Sequence, residues 1–590
     1  MTNTGSPEVP LFNPEHVDAE HRCSRIGSGA LGGKSKGLRL IHEEILSRFD
    51  PEAFPEVTVR VPYSVVIATD VFETFMERNH LWEVVLADHP DSHIAQAFQN
   101  GELPFENVDD LRGLVAVMRT PLALRPSSLL RETLDGPFPA VYTTKMIPNN
   151  EPADEARYRR FVSGLKLVWA STFFADSVVS RRAAGLPTDS ERMAVVVQEV
   201  VGRRHGERFY PTVSALARSF NYYPTPGNKP EEGAVSLALG LGKTIIDDRH
   251  TWSYCPQRPT APPPFKSMRD LLKYTQTSFW AIDMGELPPP DPIRETECLV
   301  RSGIGEAGGD GTLKFLASTY EADSDRLQPG LGGNGPRILN FAPLLGSRTI
   351  PFNQVVARLV ELSREMAGAE VEIEIAAELD PANGLPMQLD FLQMRTMMAA
   401  GERFPVEESD LQAEATLVAS DDCLGHGSRT DLEDIVYVRP QTFDRARTRS
   451  IAGELEAVNR GLVDEGRHGI FIGLGRWGTT DDRFGVPVRW GQISAARVIV
   501  EATLPDLPTE LSQGTHFFHR LLSFDVLYMS VEHDGPYRIR WDWLDSQPAV
   551  WESRQVRHVR FETPLDVRVD GATRRGIIRP NQSVLSSYTP

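Results

Sequence analysis

The chain is 590 residues long, 41% hydrophobic and 24% charged, which are the proportions of an ordinary globular protein and a length that needs roughly two to four domains rather than one core. Its net charge of −19 argues against nonspecific nucleic-acid binding, which draws on surplus cations, while leaving room for a local basic pocket for nucleotide phosphate. The four cysteines, Cys23, Cys255, Cys298 and Cys423, form no CxxC pair, so neither a zinc knuckle nor a disulfide framework is indicated; with no basic-then-apolar leader and no apolar run of about 18 residues, a reducing cytoplasm and no membrane are expected.

Residues 24–38, SRIGSGALGGKSKGL, run from a glycine loop into a helix start and carry Lys34 and Lys36. Such a segment can wrap an anion with backbone N–H groups and set a cation beside it. The GGK order breaks Walker A spacing, and a plain glycine-rich helix start would read the same way. EVTVRVPYSVVI at 56–67 predicts a strand entering a core, and TDVFETFMERN predicts a helix capped by Thr69 or Asp70. In LALRPSSLLRETLDGPF, Arg125 leaves an apolar run beside Ser127 and Ser128 and can fork onto phosphate oxygens, with Glu132 and Asp135 in the loop behind; an ordinary turn fits as well. Residues 157–183 have helical periodicity around Leu165, Val168, Trp169 and Phe173.

MAVVVQEVV at 193–201 predicts an apolar strand interrupted at Gln198. It suits one wall of an adenine slot, or a sheet that satisfies its own buried glutamine. NYYPTPGNKPEEGA at 221–234 is turn-rich, the proline-rich stretches 257–266 and 286–293 cross the surface, and LGGNGPRI is a connection. A strand pair is expected at 370–377 and 385–395. Strand alternation puts Glu372 and Glu374 on one face, with Gln393 and Arg395 at the same spacing on the partner. Two carboxylates on one face repel unless a cation such as phosphate-bound Mg²⁺ lies between them; cross-strand Glu–Arg pairs on a solvated face are the other reading.

Residues 400–430 turn acidic and then glycine-rich, which suggests a boundary. Beyond it, FIGLGRWGTTDDRFGVPVRW at 471–490 gathers Arg476, Trp477, Asp481, Asp482 and Arg483, as an anion- or acceptor-binding loop or as a connector whose tryptophan packs on the core. LSQGTHFFHRL at 511–521 sets His516 after a Gly–Thr turn, three residues before His519. His516 fits a phosphate carrier, a general base or a core histidine, and two histidines alone are poor evidence for zinc.

Taken together these segments resemble the nucleotide-binding region of the pyruvate phosphate dikinase and phosphoenolpyruvate synthase family, over roughly residues 20–400. GALGGKSKGL is similar to the family's glycine–lysine loop, with Lys34 at its phosphate lysine. LALRPSSLLRETLDGPF is similar to its arginine–double-serine motif, with Arg125 at the triphosphate arginine. MAVVVQEVV resembles its adenine-site strand, which makes Gln198, Glu199 and Val201 nucleotide contacts. VEIEIA and LDFLQMR resemble its closing motifs, with Glu374 at the magnesium glutamate, Glu372 beside it, and Gln393 and Arg395 at the family's glutamine and arginine. YPTVSALARSFNYYP departs from the family's usual segment there.

The resemblance implies an α+β chain with an ATP-grasp-like two-lobed nucleotide-binding region and a C-terminal α/β domain. Residues 1–225 would form the lobe with the Gly-Lys loop and adenine-site strand, 226–400 the lobe with the metal carboxylates, and 401–590 an acceptor or phosphohistidine-like domain. It further implies ATP and Mg²⁺ as cofactors and an ATP-dependent phosphotransferase using Lys34, Arg125, Arg395 and, through its GTH turn, His516. The expected partner is a small-molecule acceptor. The relatives' C-terminal barrel needs roughly 250 residues and does not fit after residue 400 of 590, so interconversion of pyruvate and phosphoenolpyruvate by this chain alone is not expected. An ATP-grasp ligase, a nucleotide sensor without turnover and a scaffold with a decayed site are the alternatives. The enzymatic reading requires Lys34, Arg125 and Glu374 to lie within about 15 Å of one another, allowing for lobe closure.

Overall fold

A computed structural model describes residues 9–15, 22–87, 89–130, 142–183, 186–221, 228–247, 251–261, 268, 271–272, 275–380, 386–397, 404–478, 485–505, 526–571 and 573–580. The architecture is α+β with mixed sheets. A five-stranded sheet runs in the order Cys23–Ile26, Ser64–Ile67, Met193–Glu199, Leu122–Ser128, Lys145–Ile147. Its first pair is parallel and the rest are antiparallel. A six-stranded sheet runs Trp252–Tyr254, Ala234–Ala238, Val213–Arg218, Val371–Leu379, Met387–Thr396, Val57–Arg60, antiparallel except for the last pair.

The expected strand at 56–67 is two strands in two sheets. Val57–Arg60 joins the six-stranded sheet and Ser64–Ile67 the five-stranded one. Pro62 lies between them, and proline cannot donate to a ladder. The expected helix at 157–183 is likewise two, Asp154–Ser171 and Ala175–Ala183, and the break turns Phe173 into the core.

Alternation along Met193–Glu199 sorts the faces. Val195 and Val197 pack against the helices, where the Trp169 ring centroid lies 5.0 Å from Phe75 and 5.9 Å from Phe72. Ala194 and Val196 belong instead to the core shared with the six-stranded sheet. Asp154–Arg182 is the one described stretch long and apolar enough to cross a membrane, and most of its apolar window is buried inside the protein. On the six-stranded sheet, Ile373 and Ile375 share a core with Val355, Val356, Leu359 and Leu362 of the helix Phe352–Ala367. That leaves Glu372 and Glu374 on the opposite face.

A further core draws its buried members from the span Leu417 to Ile578. Its nine-stranded sheet has four parallel central strands, Gly427–Val438, Gly469–Leu474, Ala496–Ala502 and Leu527–Val531, with antiparallel strands at its flanks. The helix Thr448–Asp464 packs Ile451, Leu455 and Leu462 into this core.

Candidate functional site

The glycine loop is fastened by two residues that the sequence offers as helix caps. The helix Thr69–Arg78 has Ala68 at its N-cap and no side-chain cap. Thr69 Oγ1 accepts the Ala30 N–H at 3.0 Å, and the Asp70 carboxylate accepts the Ser28 N–H at 2.7 Å and the Ser28 hydroxyl at 2.9 Å. Burial pushes the Asp70 carboxyl up, but the donors of Ser28 and Gly29 outweigh it and hold it below the usual range. The loop then enters the helix Gly32–Leu40 at a φ of +73° for Gly32. A β-carbon there would stand 2.2 Å from the Ser127 carbonyl oxygen, so only glycine lets the helix start against the Arg125 strand.

That helix touches both sheets. The Lys34 N–H donates to Ser127 Oγ at 3.2 Å, and Ser127 Oγ donates to the Leu31 carbonyl at 2.9 Å. One turn on, a β-carbon at Gly37 would lie 3.2 Å from the Met394 carbonyl oxygen, on the strand that carries Gln393 and Arg395. Lys34 is thereby held between the Arg125 strand and the Gln393 strand.

Arg125 crosses from the five-stranded to the six-stranded sheet. Its Nη2 donates to Glu374 Oε2 at 2.6 Å and to Gln393 Oε1 at 2.7 Å, and its Nη1 donates to Gln198 Oε1 at 3.0 Å. The Arg125 side chain is 14% exposed and that of Glu374 34%, so the pair is half-open to solvent. Burial pushes the Glu374 carboxyl up, but Arg125 and Arg395, with a further contribution from Lys34, hold it below the ordinary range. Lys34, Arg125, Gln393, Arg395 and Glu374 therefore come together from four separate stretches of the chain.

Glu374 pairs in register with Gln393, and Glu372 with Arg395, as the spacing predicts. The strand pair also carries a bulge after Glu374. Glu372 is engaged on both oxygens: Oε1 accepts Arg395 Nε at 2.5 Å and also meets Arg395 Nη2, and Oε2 accepts Arg218 Nε at 2.6 Å. Burial raises its carboxyl, yet Arg395 and Arg218 outweigh this and bring it down to about 2. Arg218 is a site residue that sequence reasoning missed; its only signal was an arginine closing the alternating run VSALAR.

Gln198 is buried and serves Arg125, while its Nε2 donates to Ser64 Oγ at 3.3 Å and to the Leu392 carbonyl at 3.4 Å. Glu199 faces away from it and accepts the Thr120 hydroxyl at 3.2 Å, and Val201 is buried just past the strand end. Among the described residues no three His, Cys, Asp or Glu side chains form a metal-binding group. Further along, Trp477 is fully buried, with its ring centroid 6.5 Å from that of Phe471, and its backbone N–H donates to Glu501 Oε1 at 2.9 Å. This is the packed tryptophan of the connector reading. His516, His519, Glu132, Asp135, Asp481, Asp482 and Arg483 lie outside the described residues.

Residues 28–260 match the family model for the pyruvate phosphate dikinase AMP/ATP-binding domain. No curated protein sequence matches the chain. The family match takes in the glycine loop, Arg125, Gln198 and Arg218. Glu374, Gln393 and Arg395 lie beyond it, on strands laddered onto Val213–Arg218. The matched segment, 28–260 of the 590 residues, is similar to the AMP/ATP-binding domain of pyruvate phosphate dikinase.

Proposed function

We propose that the chain is an ATP- and Mg²⁺-dependent phosphotransferase, related to pyruvate phosphate dikinase, that passes a phosphoryl group to a small-molecule acceptor directly or through His516. The observation that carries this reading is the contact of Arg125 with Glu374 and Gln393 at 2.6 and 2.7 Å, with the Lys34 charge acting on the same carboxylate. Residues of such different position converge at one point for a reason, and a polyanion with its cation supplies one.

The nucleotide would lie in an ATP-grasp-like cleft between the five-stranded and six-stranded sheets, with Glu199 and Val201 on the adenine side. The donor set fits Mg²⁺: one accessible carboxylate, Glu374, beside an amide oxygen, Gln393, with the remaining ligands left to phosphate and water, as is usual for this ion. Bound there, Mg²⁺ would neutralise phosphate charge and orient the chain of phosphates. Arg125 would leave Glu374 for phosphate oxygens, and Lys34 and Arg395 would neutralise others. Catalysis of this kind is mostly positioning and charge stabilisation. In this reading residues 1–225 and 226–400 supply the two lobes, and 401–590 carry the acceptor side.

The test is incubation of the purified chain with Mg-ATP and small-molecule candidates, with nucleotide products and any phosphohistidine identified by mass spectrometry. The wild type is expected to release AMP or ADP, and Glu374→Ala to release neither. An acyl phosphate or amide product would assign the chain to ligases, and binding without release would make it a nucleotide sensor.

A further inference from the structure

Arg218 closes the strand Val213–Arg218 and stands in register with Glu372, which stands in register with Arg395 on the next strand. Residues directly opposite one another on neighbouring strands project from the same face. Arg218, Glu372 and Arg395 therefore form one row across three strands. Two residues along, and about 7 Å away, lies the row of Leu216, Glu374 and Gln393, to which Arg125 reaches.

The geometry of the first row is asymmetric. The Glu372 side chain is 4% exposed, whereas those of Arg218 and Arg395 are 23% and 44% exposed. Glu372 takes Arg218 through Nε, and among the described residues neither Nη group of Arg218 has a hydrogen-bond partner. A buried carboxylate thus holds two guanidiniums by their inner edges and leaves outer N–H groups on the open side. With Lys34 and Arg125, four cations face two carboxylates, a local surplus of positive charge on a chain of net charge −19.

We propose that Arg218 is a further phosphate-contacting residue, and that with Arg395 it forms a two-guanidinium clamp for the terminal phosphoryl oxygens of a nucleoside triphosphate. Glu372 is the positioning residue that aligns the clamp, and Glu374 is the carboxylate left for the metal. This rests on the nucleotide reading above. Paired guanidiniums suit terminal phosphate because each offers parallel N–H groups to adjacent oxygens. A clamp of this kind separates ATP from AMP, which lacks the groups it would hold.

The experiment measures equilibrium binding of ATP, ADP and AMP, each with Mg²⁺, to the wild type and to Arg218→Met, Arg218→Lys and Arg125→Met. Arg218→Met is expected to weaken ATP binding roughly ten- to hundredfold, the scale of lost hydrogen bonds to a charged group, and to leave AMP binding within about twofold. Arg218→Lys keeps the charge without the fork and restores only part of the loss; it serves as the test if the methionine variant does not fold. The clamp is overturned if both Arg218 variants bind ATP like the wild type while Arg125→Met loses it, or if they lose ATP and AMP equally. If the wild type binds neither nucleotide, the nucleotide reading itself falls, and the clamp with it.

Discussion

Three glutamates on the strand Val371–Leu379 report the local field, and the third gives the sharpest stability prediction. Glu378 is buried and accepts the Thr212 N–H at 2.9 Å and the Thr212 hydroxyl at 3.1 Å. Burial outweighs those donors and pushes its carboxyl up to about 7 from 4.5. Between those values the folded protein keeps a proton that the unfolded chain has released, so stability falls as pH rises from about 4.5 to about 7. At about 1.4 kcal/mol per pH unit, the full cost above neutrality is of order 3 kcal/mol. Glu378→Gln removes the titrating group and keeps the volume and a pairing with Thr212. Urea midpoints taken at pH 5 and pH 8 should show the variant gaining on the wild type as pH rises, by up to roughly that amount. A difference that is the same at both pH values would refute the assignment.

Two more outcomes follow from the same geometry. Gly32→Ala meets both a positive φ of +73° and a contact of 2.2 Å with Ser127. It should lower the thermal midpoint, at a cost of about 1–3 kcal/mol, and weaken ATP binding by shifting Lys34, both measurable on one preparation. Glu372, held down to about 2 by Arg395 and Arg218 against burial, contributes stability above its ordinary range near 4.5 that is lost as pH falls toward 2; acid unfolding of Glu372→Gln should show a shallower limb between those values, and an unchanged limb would contradict the pairing.

Much of the site was legible because strand geometry is periodic. Glu372 and Glu374, with Gln393 and Arg395 at matching spacing, could be set on one face from alternation alone, and the registered pairs agree with that placement. Partners fixed by tertiary contact were not legible. Thr69 and Asp70 have the chemistry of helix caps, yet spend it on Ala30 and Ser28 in the glycine loop, which local sequence cannot announce. Gln198 read as part of one wall of an adenine slot or as bonded to its own sheet; it does bond within that sheet, to Arg125 and Ser64 on the two neighbouring strands, but those partners lie 73 and 134 positions away in sequence. Pro62 was the local signal for splitting 56–67 between two sheets, and the apolar residues on either side masked it. Arg218 escaped because its meaning comes from Glu372, 154 positions further on.

The most direct test of the account is ATP binding to the wild type and to Glu374→Ala, with and without Mg²⁺. If Glu374 holds the metal against the triphosphate, Mg²⁺ will tighten ATP binding to the wild type and will leave the variant's affinity unchanged, while both proteins keep the same melting profile. A Glu374→Ala protein that gains as much from Mg²⁺ as the wild type would contradict the central claim.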